Sequence, residues 1–279
     1  MLASDDLDFW ALHGLPGPEF DLEPRWNNAT ALGPLRIPFG VDANGTTVAL
    51  DFSRWSSLDD HVLVIGAPGA GTTTLLRTVA LGVCIARSPA DANFLLVEGK
   101  PNQGEFADLA KVKHCVGHVT FSRGEESRIL ERLADVLAGE VARRGRLFQT
   151  AGVSHIDDYR RAAQASADLE PLPEVFTIVD NLTWLHAAYF DTVAQMLTAD
   201  GHRCGLRIIA GAPYDLWQTL HSNGYFDAFT ARVALGLSAE QASEVLGATV
   251  NDELVAPGAA CFNHLGGEPV RVRVAMVDA

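Results

Sequence analysis

Positive charge is what this sequence lacks most. Lys and Arg number 21 against 35 Asp and Glu, which leaves a formal net charge of −14 at pH 7. Such a surface repels nucleic-acid phosphates over most of its extent, so DNA or RNA is not the expected partner, although a local basic strip is compatible with the total. Cysteine is sparse as well. Cys84, Cys115, Cys204 and Cys261 stand far apart, without the paired spacing of a zinc knuckle or a redox motif, and read as free, mostly buried thiols of a reducing cytoplasm. No apolar run is long enough to span a bilayer: stretches such as 62–65 and 78–86 are interrupted too soon. Asp5, Asp6 and Asp8 stand where a secretory signal would carry basic residues, so export is not indicated. Internal repeats and low-complexity tracts are absent.

What the chain does have is enough apolar content, 48% of its residues, to bury a sizeable core in one large α/β domain. Residues 1–34 mix acidic residues with Pro16, Pro18, Pro24 and Pro34. This composition suits a linker or extended arm, anchored by Trp10, Leu12, Phe20 and Trp26. The domain proper is expected over 35–279. It opens with β-rich runs at 35–41 and 46–52 around Asn44-Gly45, a hairpin signal. A buried strand at 61–65, a glycine-rich turn at 66–71 and a helix from Thr73 to Ala86 follow. Further strands are expected at 93–97, 175–179, 206–210, 229–235 and 270–277. Leu130, Leu133, Leu137, Val141 and Phe148 form one helical stripe over 126–148, and a helix is expected at 239–246. Strands alternating with helices predict a mostly parallel sheet covered on both faces.

Gly66-Ala67-Pro68-Gly69-Ala70-Gly71-Thr72-Thr73 has the spacing of a Walker A loop, whose backbone amides cradle phosphate oxygens at a helix N-terminus. The lysine that normally reaches the β- and γ-phosphates is replaced by Thr72. Thr73 keeps the hydroxyl that usually contacts magnesium, and Thr74 completes the first helical turn. By itself such a turn is also an ordinary strand-to-helix connection. About a hundred residues downstream, Val175-Phe176-Thr177-Ile178-Val179 ends in Asp180, as a Walker B strand does. The next residue, where a hydrolase would place a general-base Glu, is Asn181.

Beyond the loop, PLRIPFGVDANGTTVALDF, HVLVIGAPGAGTTTLLRTVAL, ADANFLLVEGK, VLAGEVARRGRLFQTAGVSHIDDYRRA, PLPEVFTIVDN and LSAEQASEVLGA follow one another in an order that resembles the FtsK/SpoIIIE ATPases. Within them the resemblance is to the EccC/EssC motor component of type VII secretion systems, and it covers about residues 35–277. It implies an α/β, RecA-like P-loop NTPase fold: a mostly parallel sheet with helices on both faces and an N-terminal β-hairpin. It also implies nucleotide binding at Gly66, Gly69, Ala70, Gly71, Thr72, Thr73, Thr74 and Asp180, with Thr73 and Asp180 holding a metal only if Mg-nucleotide is bound. The cofactor is ATP with Mg2+, or none. The departures fall at the chemistry. Thr72 and Asn181 replace Lys and Glu, Ala212-Pro213 stands at the sensor position, and Leu220-His221-Ser222-Asn223-Gly224 lacks the arginine finger.

From this resemblance the expected function is a degenerate nucleotide-binding domain of a type VII secretion motor that recognises secreted substrate or regulates neighbouring ATPase domains, with no catalytic residue of its own. The alternatives are an active ATPase that borrows residues from a neighbour and, less favoured, a DNA translocase module. The expected partners are the motor's other ATPase domains and the C-terminal signal of a small helical-hairpin secreted protein. The expected location is the cytoplasm at the inner face of the membrane, reached through the rest of the motor. Trp217, Leu220, Tyr225, Phe226 and Phe229 are expected to line an apolar pocket for that signal, with core packing as the competing reading. His114 with His118 is the sole His pair at metal-ligand spacing, and Arg143, Arg144 and Arg146 read as a solvated helix end.

Overall fold

The computed structural model describes residues 7–28, 33, 35–52, 61–99, 104–120, 124, 126–184, 200–224, 226–264, 266–275 and 277, apart from the side chains of 126, 184 and 223. Ten strands form one sheet: β1 (Arg36–Val41), β2 (Thr47–Asp51), β3 (Val62–Gly66), β4 (Ala92–Glu98), β5 (Cys115–Thr120), β6 (Glu174–Asp180), β7 (Leu206–Pro213), β8 (Ala231–Leu235), β9 (Ala259–His264) and β10 (Val270–Val274). Their order is β2-β1-β10-β9-β8-β3-β7-β6-β4-β5. From β8 to β5 every pairing is parallel. From β2 to β8 every pairing is antiparallel. The predicted parallel sheet is thus the half from β8 to β5, and the predicted hairpin β1–β2 joins it through β10 and β9. Two strands, β5 and β9, escape the sequence pattern. β5 alternates half-buried and exposed positions at the sheet's edge, and β9 (AACFNH) has too little β-branched character to mark a strand.

Strand alternation sorts the core into two layers. Val62, Val64, Phe94, Leu96, Phe176 and Ile178 face α3 (Thr72–Ala86), which presents Leu75, Leu76, Val79 and Val83 at helical spacing. The intervening residues Leu63, Ile65, Val97 and Val179 face the other way, onto α4 (Glu126–Ala151) and α5 (Ile156–Ala165). Two further helices, α6 (Tyr214–Leu220) and α7 (Ala239–Leu246), bury Trp217, Ala242, Val245 and Leu246 in that same layer. Ser238 and Gln241 close α7 with a reciprocal capping box. Among the described residues no helix is long and apolar enough to cross a membrane.

Two short helices, α1 (Phe9–Leu12) and α2 (Glu23–Asn28), lie in the N-terminal segment. The segment packs on the body. Phe9 and Leu15 bury against Ile85 and Ala275 with Trp10 and Leu12 alongside, Trp26 Nε1 donates to the Cys84 carbonyl at 3.0 Å, and Phe20 stays 41% exposed. His13 is buried in this contact, its ring 4.5 Å from that of Phe9. Burial, then the Arg25 charge, lower its pKa to about 4 against a backbone hydrogen bond at Pro38 that raises it. A histidine depressed on folding contributes stability above its unfolded pKa and loses it as pH falls. Between pH 6.5 and 4 the protein should therefore lose about 3 kcal/mol more than a His13→Gln variant. Denaturant titrations across that window check it; parallel pH profiles would refute it.

Buried charge is concentrated beneath the sheet, at the N-terminal ends of β6 and β7. Glu174 lies between Arg160 (3.0 Å) and Arg207 (2.8 Å). Arg160 Nε also donates to the Leu172 carbonyl and Arg207 Nη2 to that of Phe52. Burial by itself would raise the Glu174 pKa; the two guanidiniums reverse this and hold it below the usual carboxylate range. Arg144, expected on a solvated helix end, is 1% exposed. It reaches inward to the Cys204 carbonyl at 2.7 Å and is paired with Glu140, because α4 continues past it to Ala151 and packs that turn against the segment before β7.

Candidate nucleotide site

All five residues of β3 are buried, which fixes where the following loop starts. Ala67 N–H donates to the Leu235 carbonyl and Ala70 N–H to that of Ala67. Gly69 (φ 77°) and Gly71 (φ 99°) adopt left-handed backbone that turns the chain into α3. Gly71 caps the helix without a side-chain bond, which leaves the first-turn amides of Thr72, Thr73 and Thr74 turned toward the loop. Gly236 supports the loop from below: a Cβ there would lie 2.5 Å from that of Ala70. Gly69 itself is exposed.

Thr73 Oγ1 donates to Asp180 Oδ1 at 2.8 Å. Asp180 ends β6, and β7 lies between β6 and β3, so a strand-end carboxylate 107 residues away meets the loop through tertiary contact alone. A hydroxyl and a carboxylate at an uncapped helix N-terminus form an oxygen donor set of the kind magnesium takes beside phosphates, so these residues fit a Mg-nucleotide. Thr72 does not replace the missing lysine. A Cβ on Gly66 would meet its Oγ1 at 2.5 Å and a Cβ on Gly211 its Cγ2 at 2.7 Å, so the side chain packs down on two glycines of the sheet and carries no charge to the phosphates.

At the general-base position Asn181 does other work. It is the sole non-glycine with positive φ (61°) among the described residues, and its Oδ1 accepts from Thr183 N–H at 3.1 Å, an Asx turn that favours this residue type in left-handed backbone. Close packing holds this turn in place. Gly99 N–H donates to the Asp180 carbonyl at 2.8 Å, and a Cβ on Gly99 would lie 2.1 Å from the Asn181 carbonyl oxygen. At the sensor position Pro213 pairs with Gly66 in register and has no N–H to offer. The 221–223 turn carries His221, whose ring nitrogen bonds the Trp217 carbonyl.

Of the residues expected to line a peptide pocket, Trp217, Phe226 and Phe229 are buried. Trp217 is 3% exposed, and Phe226 and Phe229 are more deeply buried still. Trp217 stacks on Phe226 (5.3 Å) and His221 (5.2 Å). The buried Arg232 guanidinium sits 4.9 Å from the Trp217 ring and donates to the carbonyls of Phe226, Phe229 and Val245. Leu220 is half-buried against the same core, and Tyr225 lies outside the described residues, as do Tyr189 and Phe190. Apolar content marked this stretch correctly as aromatic-rich, but the core claims it. The His114–His118 pair is also divided: His114 bonds the Arg87 carbonyl and His118 pairs with Glu98. Among the described residues no cluster of three or more His, Cys, Asp or Glu could hold a metal ion.

A glycine-rich loop between strand and helix, and an acidic strand end separated from it by one intervening parallel strand, define the RecA-like class of P-loop NTPase folds. Within that class the chain belongs to the FtsK/SpoIIIE family, whose model matches residues 23–266. It is similar to the ESX-4 secretion system protein EccC4 of Mycobacterium tuberculosis, 33% identical over 93% of this chain and 21% of the relative's length. The cytoplasmic domain of the Thermomonospora curvata type VII secretion ATPase EccC superposes with a TM-score of 0.83 at 25% identity, covering 99% of this chain and 33% of that one. ATPases 2 and 3 of the same organism's EccC, solved in complex with a signal sequence peptide, share the fold with a TM-score of 0.65 at 18% identity, covering 90% of this chain and 42% of that one. The chain thus spans about a fifth of the length of the curated relative it matches over most of its residues.

Proposed function

We propose that this chain is one ATPase-type domain of a type VII secretion motor that retains Mg-nucleotide without turning it over, and regulates the neighbouring ATPase domains through that bound state. The observation that carries this reading is a split within one site. The backbone cradle and the Thr73–Asp180 bond are built as for binding, while Thr72 is packed against Gly66 and Gly211 and Asn181 is committed to a turn. Charge stabilisation of the transferred phosphoryl group and general-base assistance are therefore both missing. Burial of Trp217, Phe226 and Phe229 favours regulation over reception of a secreted signal at that stretch. The partners proposed are the motor's other ATPase domains, with the membrane reached through the rest of the motor, and a net charge of −14 argues against DNA translocation.

The purified protein should bind ATP in a magnesium-dependent manner and release phosphate at no more than background rate. Gly71→Asp should abolish binding, because a side chain at φ 99° strains the turn and a carboxylate opposes the phosphates. Phosphate release at motor rates, or binding unchanged in Gly71→Asp with circular dichroism as the folding control, would overturn the reading.

A further inference from the structure

The strand next to the Asp180 strand also ends in a carboxylate. Glu98 closes β4 and pairs in register with Asp180 across the parallel ladder, which places the two side chains on the same face of the sheet. Packing shows which face: Phe94 and Leu96, four and two residues before Glu98, lie in the layer with α3, as do Phe176 and Ile178 before Asp180. Both acids therefore stand on the sheet face that α3 covers, and Thr73 in the first turn of that helix bonds Asp180. Glu98 is 2% exposed. Its Oε1 accepts from Phe106 N–H at 2.8 Å and from His118 Nε2 at 2.9 Å. Its Oε2 has no hydrogen bond among the described residues.

One oxygen of this carboxylate is thus fixed twice over, and the other is left open to a further donor. Packing alone does not account for Glu98, since a glutamine would accept from Phe106 and His118 equally well. We propose that Glu98 is a positioning residue of the nucleotide site, its Oε2 receiving hydrogen bonds from the water shell of the magnesium that accompanies nucleotide at Thr73 and Asp180. Magnesium keeps several of its waters when it binds beside phosphates, so a second carboxylate one strand away acts through water rather than by direct ligation. His118 and Phe106 N–H hold the carboxylate plane. Arg77 secures the turn that supplies Phe106, through a bidentate pair with Asp108 and a bond to the Glu105 carbonyl. The lost Glu at 181 thus leaves a site that still has two carboxylates, arranged to hold a hydrated cation rather than to attack with water. This proposal rests on the nucleotide-binding reading above.

Titration with a fluorescent ATP analogue, with and without magnesium, separates the two. In Glu98→Gln the increase in affinity on adding magnesium should fall by about ten- to hundredfold, the range typical for outer-shell partners of a metal, while magnesium-free affinity does not fall, since a negative charge near the phosphates has been removed. His118→Ala should lower the magnesium effect less, and His118→Gln, which restores an N–H donor, should recover part of it. A wild-type magnesium effect in Glu98→Gln overturns the proposal and leaves the nucleotide-binding reading standing, whereas a wild-type protein that binds no nucleotide overturns both. If Glu98→Gln fails to fold, the His118 variants decide: equal magnesium effects in wild type, His118→Ala and His118→Gln refute the proposal.

Discussion

Glu174→Ala should destabilise the protein by about 3–5 kcal/mol, because it leaves the buried guanidiniums of Arg160 and Arg207 without the carboxylate between them. The loss comes mainly from stranded charge rather than from the pair's own attraction, which desolvation largely offsets. Glu174→Gln should therefore also be costly although it keeps the shape, since it is neutral and turns one of the two acceptors into an NH2 donor that faces a guanidinium. Acid should act in the same direction: a carboxylate whose pKa is depressed on folding contributes stability above its unfolded pKa and loses it as pH falls through the folded value. Urea unfolding at neutral pH measures the first effect. A loss below about 1 kcal/mol in Glu174→Ala would mean that water reaches the two arginines, contrary to their burial.

Trp217→Ala should cost about 3–5 kcal/mol, the range for emptying a large aromatic from a packed core. It removes the stacking surface of Phe226 and His221 and the ring beside Arg232. Trp217→Phe should be much milder, since the buried indole N–H has no hydrogen-bond partner among the described residues and so no bond is lost with it. Thermal unfolding of the two variants checks the pair of expectations. A stable Trp217→Ala would return this residue to an exposed, receptor-like role.

The glycine-rich loop was legible because its signal is local. Glycines that take positive φ, an apolar run before them and a helical pattern after them are all contained in 61–86, and the structure places each as expected. Asp180 was legible as the end of an apolar run. Glu98 ends a run of the same kind, ADANFLLVE, and that signal went unused because a strand-ending acid gains meaning only from the strand beside it. Arg144 misled for a related reason. An arginine near a helix end is usually solvated, and only the segment before β7 crossing over α4 supplies the Cys204 carbonyl that draws it inward.

By itself, the sequence determined the class of fold, the glycine-rich loop after β3 and the identities of Thr72 in that loop and Asn181 after β6, since strand and helix periodicity, glycine conformations and side-chain identity are properties of short stretches of chain. Tertiary structure alone decided that a second carboxylate, Glu98, stands beside Asp180, that Asn181 serves a turn, and that Trp217, Phe226 and Phe229 belong to the core. The physical reason is that burial and partnership depend on which distant segments pack together. An aromatic-rich stretch reads the same whether it lines an open groove or closes the core, and a strand-end acid reads the same whether its neighbour is solvent or a second carboxylate.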